Sequence, residues 1–138
     1  MGQIQFSYSI LVTIDEVKTS SLLASTAKAE GRVIQQLSLH FFSDPDLRVI
    51  NKEHLQHDYE TDVITFDNSF GQDICGDIMV SVDRVRDNAQ HYSVSFEDEL
   101  DRVIIHGLLH LLGYNDKSGD EMRTMRAKED HYLNLRTH

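Results

Sequence analysis

The sequence is poor in several features whose scarcity narrows the class of protein. It has one cysteine and one proline among 138 residues, and it has no tryptophan. A single cysteine, Cys75, excludes a framework of internal disulfides, and we expect it to be a small buried residue rather than a nucleophile. No apolar run approaches the roughly 20 residues of a membrane-spanning helix. The first residues also lack the basic and then apolar segments of a secretory signal. We therefore expect a cytoplasmic protein.

Basic residues are scarce as well. There are 13 Lys and Arg against 23 Asp and Glu, so the formal net charge is −10. A negative net charge repels polyanions at long range, whereas nucleic-acid-binding domains usually carry a positive net charge. No DNA partner is expected, and contact with RNA would require a local basic patch or a metal ion that faces the phosphate. The length and the 40% hydrophobic content fit one globular domain over residues 1–138.

The hydrophobic patterns alternate between strand and helix along the chain. They predict an α+β fold in which helices pack on a mixed sheet, in the order βαβαββααα. Strands are expected at 3–10, 33–43, 61–66 and 77–81, helices at 14–32, 43–55, 82–92, 95–112 and 118–135, and a loop at 67–76. Ser95 is expected to cap the fourth helix, and Gly113 to end it.

Two histidines lie four positions apart in this fourth helix, in a stretch that is apolar nearly all round. Such a stretch is typical of a central, buried helix. Residues i and i+4 point to the same side of a helix, so His106 and His110 can bind one ion. Eight histidines in 138 residues give about 0.5 such pairs by chance. On the spacing alone, two core histidines hydrogen-bonded to the backbone are therefore the favoured interpretation.

Gly113 and Asp116 favour the metal interpretation. A glycine after the helix can take positive φ and turn the chain back, which returns the Asp116 carboxylate toward the histidines. Requiring a glycine and then a ligand residue at these places lowers the chance expectation to roughly 0.005. Buried imidazoles without partners would also cost roughly 1–3 kcal/mol each. The sequence thus predicts a metal site formed by His106, His110 and Asp116.

Three protein ligands leave one position open, which is typical of a catalytic rather than a structural site. Two imidazoles and a carboxylate suit zinc, and one Zn²⁺ ion per chain is expected, although other divalent metals fit too. Gly107 stands where HExxH metalloproteases carry their glutamate base, so metal-assisted hydrolysis is predicted but proteolysis is not. The residues identify no general base. A non-haem iron oxygenase uses the same ligand types, but normally carries them on strands.

The stretch HGLLHLLGYND, residues 106–116, resembles the YbeY signature HGxLHLxGYDH. YbeY proteins are metal-dependent endoribonucleases of ribosomal RNA maturation. The blocks INKEHLQHDYETDVITF and CGDIMVS, and an ExxxMxxxE pattern at Glu121, Met125 and Glu129, extend the resemblance over most of the chain. It implies a zincin-like hydrolase fold with the metal at one end of the sheet. It also implies cleavage of single-stranded RNA, with ribosomal RNA and the small ribosomal subunit or its precursors as partners.

The sequence departs from the family pattern at two sites. Asp116 replaces the third metal histidine, and Asn115 replaces the aspartate before it. Leu55 replaces the family arginine that is thought to serve catalysis or RNA binding, for which His54, His57 or Lys52 could substitute. A second hypothesis follows, namely a ribosome-associated assembly factor whose metal is mainly structural.

Other polar residues receive weaker predictions. The segment 61–66 could be an edge strand along which RNA lies, with Thr61 and Thr65 near the cleft, although plain sheet positions explain them too. Asp62 fits a strand-end cap or an acceptor close to the metal ligands. Five arginines are phosphate-contact candidates if they share a face, and otherwise belong to solvated helix surfaces: Arg84, Arg86, Arg102, Arg123 and Arg126.

Overall fold

A computed structural model of the chain describes residues 3–55 and 61–136. The side chains of His54 and Leu55, and all of His57, lie outside this description, so the predictions made for them are not addressed by it. The elements are β1 (Gln3–Tyr8), α1 (Glu16–Ala29), β2 (Val33–Phe42), α2 (Asp44–Leu55), β3 (Val63–Asp67), β4 (Asp73–Ser81), α3 (Val82–Tyr92), α4 (Phe96–Leu111) and α5 (Gly119–Leu135). This is the predicted order of strands and helices.

The four strands form one mixed sheet in the order β1-β2-β4-β3. β1, β2 and β4 are parallel, with Leu39 opposite Ile78, and β3 runs antiparallel to β4, with Ile64 opposite Met79. The predicted α+β class with a mixed sheet is confirmed. β3 is an edge strand, as its sequence suggested. None of the helices in the described ranges is both long and apolar enough to cross a bilayer.

The predicted loop at 67–76 is too long, because β4 begins at Asp73. A tight turn at Gly71, with φ of 54°, lets Phe70 and Asp73 exchange backbone hydrogen bonds of 3.0 and 2.8 Å. Pairing with β2 then holds Cys75 in the sheet despite the neighbouring glycine. Cys75 is only partly buried, so the expectation of a buried thiol was wrong.

Helix α4 occupies the centre of the molecule. It contacts α1, α3, α5, β3 and β4. Ile104 and Leu108 pack into the core against the sheet, while Ile105 and Leu109 pack into a second apolar cluster with α5. This arrangement leaves one stripe of the helix partly open to solvent, and that stripe carries His106 and His110.

Serine caps fix where the last two helices begin. The Ser95 hydroxyl accepts a hydrogen bond from the Asp98 N–H at 3.1 Å, as the sequence predicted. Ser118 and Glu121 form a reciprocal capping box at the start of α5. Since both helix starts are fixed, the side chains that face each other across the α4–α5 interface are fixed as well.

Helix α4 approaches the sheet most closely at Gly107. A Cβ atom there would lie 2.9 Å from Ile78 Cγ2 and 3.3 Å from Val63 Cγ2. Both are branched side chains packed on the sheet, so there is little room for them to withdraw. The glycine between the histidines is therefore explained by close packing of α4 on the sheet.

Gly107→Ala should consequently destabilise the protein. Overpacking of a core typically lowers the free energy of unfolding by about 1–3 kcal/mol. The higher helix propensity of alanine offsets up to about 1 kcal/mol of this loss. We expect a net loss of about 1–2 kcal/mol in the free energy of unfolding, measured by urea denaturation. Gly119→Ala is the matched control, because a Cβ there meets only Arg123 Nη1 at 3.6 Å. Equal stability of the two variants would contradict the packing argument.

Candidate metal centre

Three ligand-type side chains converge where α4 ends. His106 Nε2 lies 3.0 Å from His110 Nε2, and Asp116 Oδ2 lies 3.1 Å from the first and 3.4 Å from the second. The imidazole rings are nearly perpendicular, at 79°. The structure thus brings together all three residues that the sequence singled out as ligands. Their role as ligands stays a prediction at this point.

The turn after α4 explains the position of Asp116. Gly113 has φ of 104°, and its N–H donates to the His110 carbonyl at 3.0 Å. The Tyr114 N–H donates to the Leu109 carbonyl at 3.0 Å. This pair of bonds is the Schellman motif, in which a residue in the left-handed region reverses the chain. The reversal is what returns the carboxylate to the histidine stripe.

The geometry and the chemistry of these donors fit a small divalent ion. Ligand atoms about 2.0–2.1 Å from a tetrahedral zinc ion lie about 3.3–3.4 Å from one another, close to the separations of these three atoms. When His106 is neutral, a hydrogen bond from its Nδ1 to Glu129 places the ring's lone pair on Nε2, which faces the Asp116 carboxylate. Two acceptors at that distance repel each other unless a proton or a cation lies between them.

Glu129 supports His106 from behind. Its Oε2 accepts the His106 Nδ1–H at 2.7 Å, and its Oε1 accepts from Arg102 Nη1 at 2.9 Å. The side chain is 5% exposed, so the ion pairs are only weakly screened by water. A carboxylate behind a ligating histidine fixes its tautomer and ring orientation.

The charges of this group shift two pKa values in opposite directions. Burial acts to lower the pKa of His106, but the hydrogen bond and charge of Glu129 and the charge of Asp116 outweigh it, so that pKa is raised. Burial acts to raise the pKa of Glu129, but His106 and Arg102 outweigh it, so that pKa is lowered. Both shifts favour the charged form of each partner when no ion is bound.

Helix α5, which carries Glu129, is anchored to the end of α1 through a partly buried carboxylate. Glu30 accepts hydrogen bonds from Tyr114, at 2.6 Å, and from Tyr132, and it pairs with Lys128 at 3.0 Å. Tyr114 belongs to the turn that returns Asp116. One network therefore holds both the turn and the helix that complete the site.

A cleft of about 250 Å³ opens between α3, α4 and α5, and two of the predicted ligands, His106 and Asp116, line it. Asp62, just before β3, lies on one wall, where its carboxylate accepts from Asn88 Nδ2 at 3.3 Å. Burial, opposed by the charge of His106, raises the pKa of Asp62. Asp62 was assigned from the sequence to a cap or to the neighbourhood of the metal, and the structure places it in this cleft.

Comparison with known proteins identifies the family. The family model described as endoribonuclease YbeY matches residues 8–136. The chain belongs to the YbeY family. The endoribonuclease YbeY of Flavobacterium psychrophilum is 45% identical over 137 residues, covering 96% of this chain and 95% of its own. That of Cytophaga hutchinsonii is 52% identical over 115 residues, covering 83% and 80%.

A solved structure is similar to this YbeY protein as well. The solution structure of TM1509 from Thermotoga maritima aligns with a TM-score of 0.67 at 26% identity, covering 96% of this chain and 87% of its own. The resemblance drawn from the HGLLHLLGYND signature is thereby confirmed at the level of family and fold.

The structure brings only two of the five candidate arginines to the cleft of this YbeY chain, Arg102 and Arg126. Arg102 is held by Glu129 and Asp130. The Arg126 side chain is 58% exposed and lies 3.8 Å from Glu129. Arg84 and Arg123 form ion pairs away from the cleft, and Arg86 lies over the Phe96 ring.

Glu129 and Glu99 both line the cleft, but from the sequence Glu129 was only part of the ExxxMxxxE resemblance and Glu99 was not singled out. Each is a glutamate among buried residues, Glu129 on α5 four residues after Met125 and Glu99 on α4 beside Leu100. A carboxylate on the apolar face of an amphipathic helix is the signal that could have marked them.

Proposed function

We propose that this chain is a zinc-dependent endoribonuclease that cleaves single-stranded RNA in ribosomal RNA processing and ribosome maturation. The observation that carries the proposal is the cluster of His106, His110 and Asp116 at the edge of an open cleft. The name endoribonuclease YbeY, carried by relatives at 45% and 52% identity, supports the reaction class. Residues 1–138 are proposed to act as one such hydrolase domain.

In this proposal His106 and His110 hold the ion through Nε2 and Asp116 through its carboxylate. A bound zinc ion supplies Lewis-acid polarisation of a phosphate oxygen and acidification of water. Glu129 keeps the His106 proton on Nδ1 and so keeps Nε2 free for the ion. Arg126, at the cleft mouth, is the cation best placed to meet a phosphate.

The proposed partners are ribosomal RNA and the small ribosomal subunit or its precursors, and the proposed compartment is the cytoplasm. The negative net charge of the chain argues against a large nucleic-acid-binding surface. The ribosome would therefore have to position the RNA at the active site. Leu55, in place of the family arginine, favours a second candidate, an assembly factor whose metal is mainly structural.

A cleavage assay separates these candidates. Zinc-loaded protein should cleave a labelled single-stranded RNA, should spare the same strand in a duplex, and should stop when a chelator removes the metal. Elemental analysis of wild type and Asp116→Ala should give about one zinc per chain in the first and less in the second. Absence of cleavage together with co-sedimentation on small-subunit particles would favour the assembly factor. Equal cleavage with and without zinc would refute metal dependence.

A further inference from the structure

Glu99 is a buried carboxylate that the fold leaves without a partner. It is 6% exposed. Within residues 3–55 and 61–136 no hydrogen bond or ion pair reaches its carboxylate, and Arg102 and Arg126 act on it only as charges at longer range. A largely buried carboxylate without donors is unfavourable, and Glu99 lies in the wall of the cleft, so a ligand bound there can supply the donors.

The position of Glu99 relates it to the metal centre. It precedes His106 by seven residues, which is two helical turns or about 10.5 Å along the same face of α4. Both residues line the same cleft. A group bound at Glu99 would therefore lie in the same cleft as whatever the metal site holds, about 10.5 Å farther along α4.

The walls of the cleft suit a flat ring better than a phosphate. Asp62 and Glu99 inside it repel anions, whereas Tyr92 and Met122, 57% and 56% exposed, offer an aromatic and an apolar surface at the rim. Arg126 at the mouth can take a phosphate. Single-stranded RNA is recognised in this way, by stacking of unpaired bases and by hydrogen bonds to their edges.

We propose that this cleft is a nucleobase subsite in which Glu99 accepts hydrogen bonds from the base beside the scissile phosphate, with guanine preferred. The inference rests on the proposed ribonuclease function. Guanine offers two adjacent donors, N1–H and the N2 amino group, to the two free oxygens of one carboxylate. Uracil offers a single N–H between two carbonyl oxygens, which a carboxylate repels.

Binding of nucleoside monophosphates tests the subsite without relying on cleavage. Zinc-loaded protein would be titrated with GMP, IMP and UMP by NMR or calorimetry, since the common phosphate contributes equally to all three. We expect GMP to bind about tenfold more tightly than UMP, with IMP, which lacks the N2 amino group, in between. Glu99→Gln should abolish this order. Glu97→Gln, the same change at an exposed position of the same helix turn, should preserve it.

Equal binding of the three nucleotides, or an unchanged order in Glu99→Gln, would overturn the proposal. If Glu99→Gln does not fold, Tyr92→Ala, at the exposed rim, takes its place in the test. This substitution should weaken the binding of all three nucleotides by the same factor. Wild-type binding by Tyr92→Ala would also overturn the proposal. A parallel cleavage series on RNAs with a single guanine separates the two hypotheses. A base preference in binding without any cleavage would refute the proposed nuclease function. Cleavage without a base preference would refute the proposed nucleobase subsite.

Discussion

His106→Ala should lose the bound zinc and, with it, nearly all RNA cleavage. Zinc content should fall from about one ion per chain to nearly none. Loss of a partner behind a metal ligand typically lowers affinity or activity about 10–100-fold, so loss of the ligand itself should lower cleavage by at least about 100-fold. The measurements are elemental analysis and the initial rate on a labelled single-stranded RNA. His110→Ala should behave in the same way, because its Nε2 atom faces the same point in space.

The matched control for this prediction is His131→Ala. His131 lies on α5 at an exposed position, so the substitution removes an imidazole without touching the cluster. It should retain both zinc and cleavage. Thermal unfolding of each variant would verify that the fold persists, since His106→Ala leaves the buried Glu129 with Arg102 as its partner. Cleavage by His106→Ala at the wild-type rate would assign the activity to a contaminant or to another site.

The charge of the cleft explains how an acidic chain can meet RNA. Among the residues that the structure describes, four carboxylates line it, from Asp62, Glu99, Asp116 and Glu129, against the guanidinium groups of Arg102 and Arg126. A divalent cation would offset this excess of negative charge at the point where a phosphate would approach. Of the two expectations drawn from the sequence, a local basic patch or a metal ion that faces the phosphate, this charge balance favours the metal ion.

The parts of the site that could be predicted from sequence are those that local chemistry determines. Helical periodicity aligns His106 with His110, and the positive φ of Gly113 determines where Asp116 returns. Ser95 accepts a bond from a backbone N–H three residues later, so the helix start is also local. In each case the interacting groups lie within one or two turns of the chain.

The parts that could not be predicted depend on contacts between distant segments. Glu129 meets His106 across 23 residues, because α5 returns over α4. The apolar cluster between α4 and α5 and the Glu30 network, which joins the end of α1 to α5 across about a hundred residues, both hold α5 in this position. The early start of β4 at Asp73 depends on its pairing with β2, and no local pattern reveals it. The spacing of residues along the sequence does not predict any of these long-range contacts.

Glu129→Gln should lower zinc affinity about 10–100-fold, because the carboxylate behind His106 orients the ring and increases its basicity. Competition with a zinc-binding dye would measure the change. Asp130→Asn is the matched control, since Asp130 binds the same Arg102, at 2.7 Å, but is 52% exposed and does not touch His106. It should change zinc affinity less than about threefold. An equal loss in both variants would assign the effect to Arg102 rather than to the support of His106.

The pH dependence gives the same variant a second, independent signature. Zinc requires a neutral imidazole, and Glu129 raises the pKa of His106, so wild-type affinity should fall as the pH drops through that raised pKa. Glu129→Gln removes this cause and shifts the fall to lower pH. The affinity ratio of wild type to variant should therefore be largest at high pH and shrink as the pH falls.

Without metal, the pair formed by His106 and Glu129 should stabilise the fold only within a limited pH window. The raised pKa of His106 contributes stability that is fully present below its unfolded value, and this contribution is lost as pH rises through the folded pKa. The lowered pKa of Glu129 contributes stability that is present above its unfolded value and is lost as pH falls. The stability advantage of wild type over Glu129→Gln should therefore be greatest between roughly pH 4.5 and 6.5, measured by urea unfolding of metal-free protein. An advantage that is constant from pH 4 to 9 would show that the pair does not act through its charges.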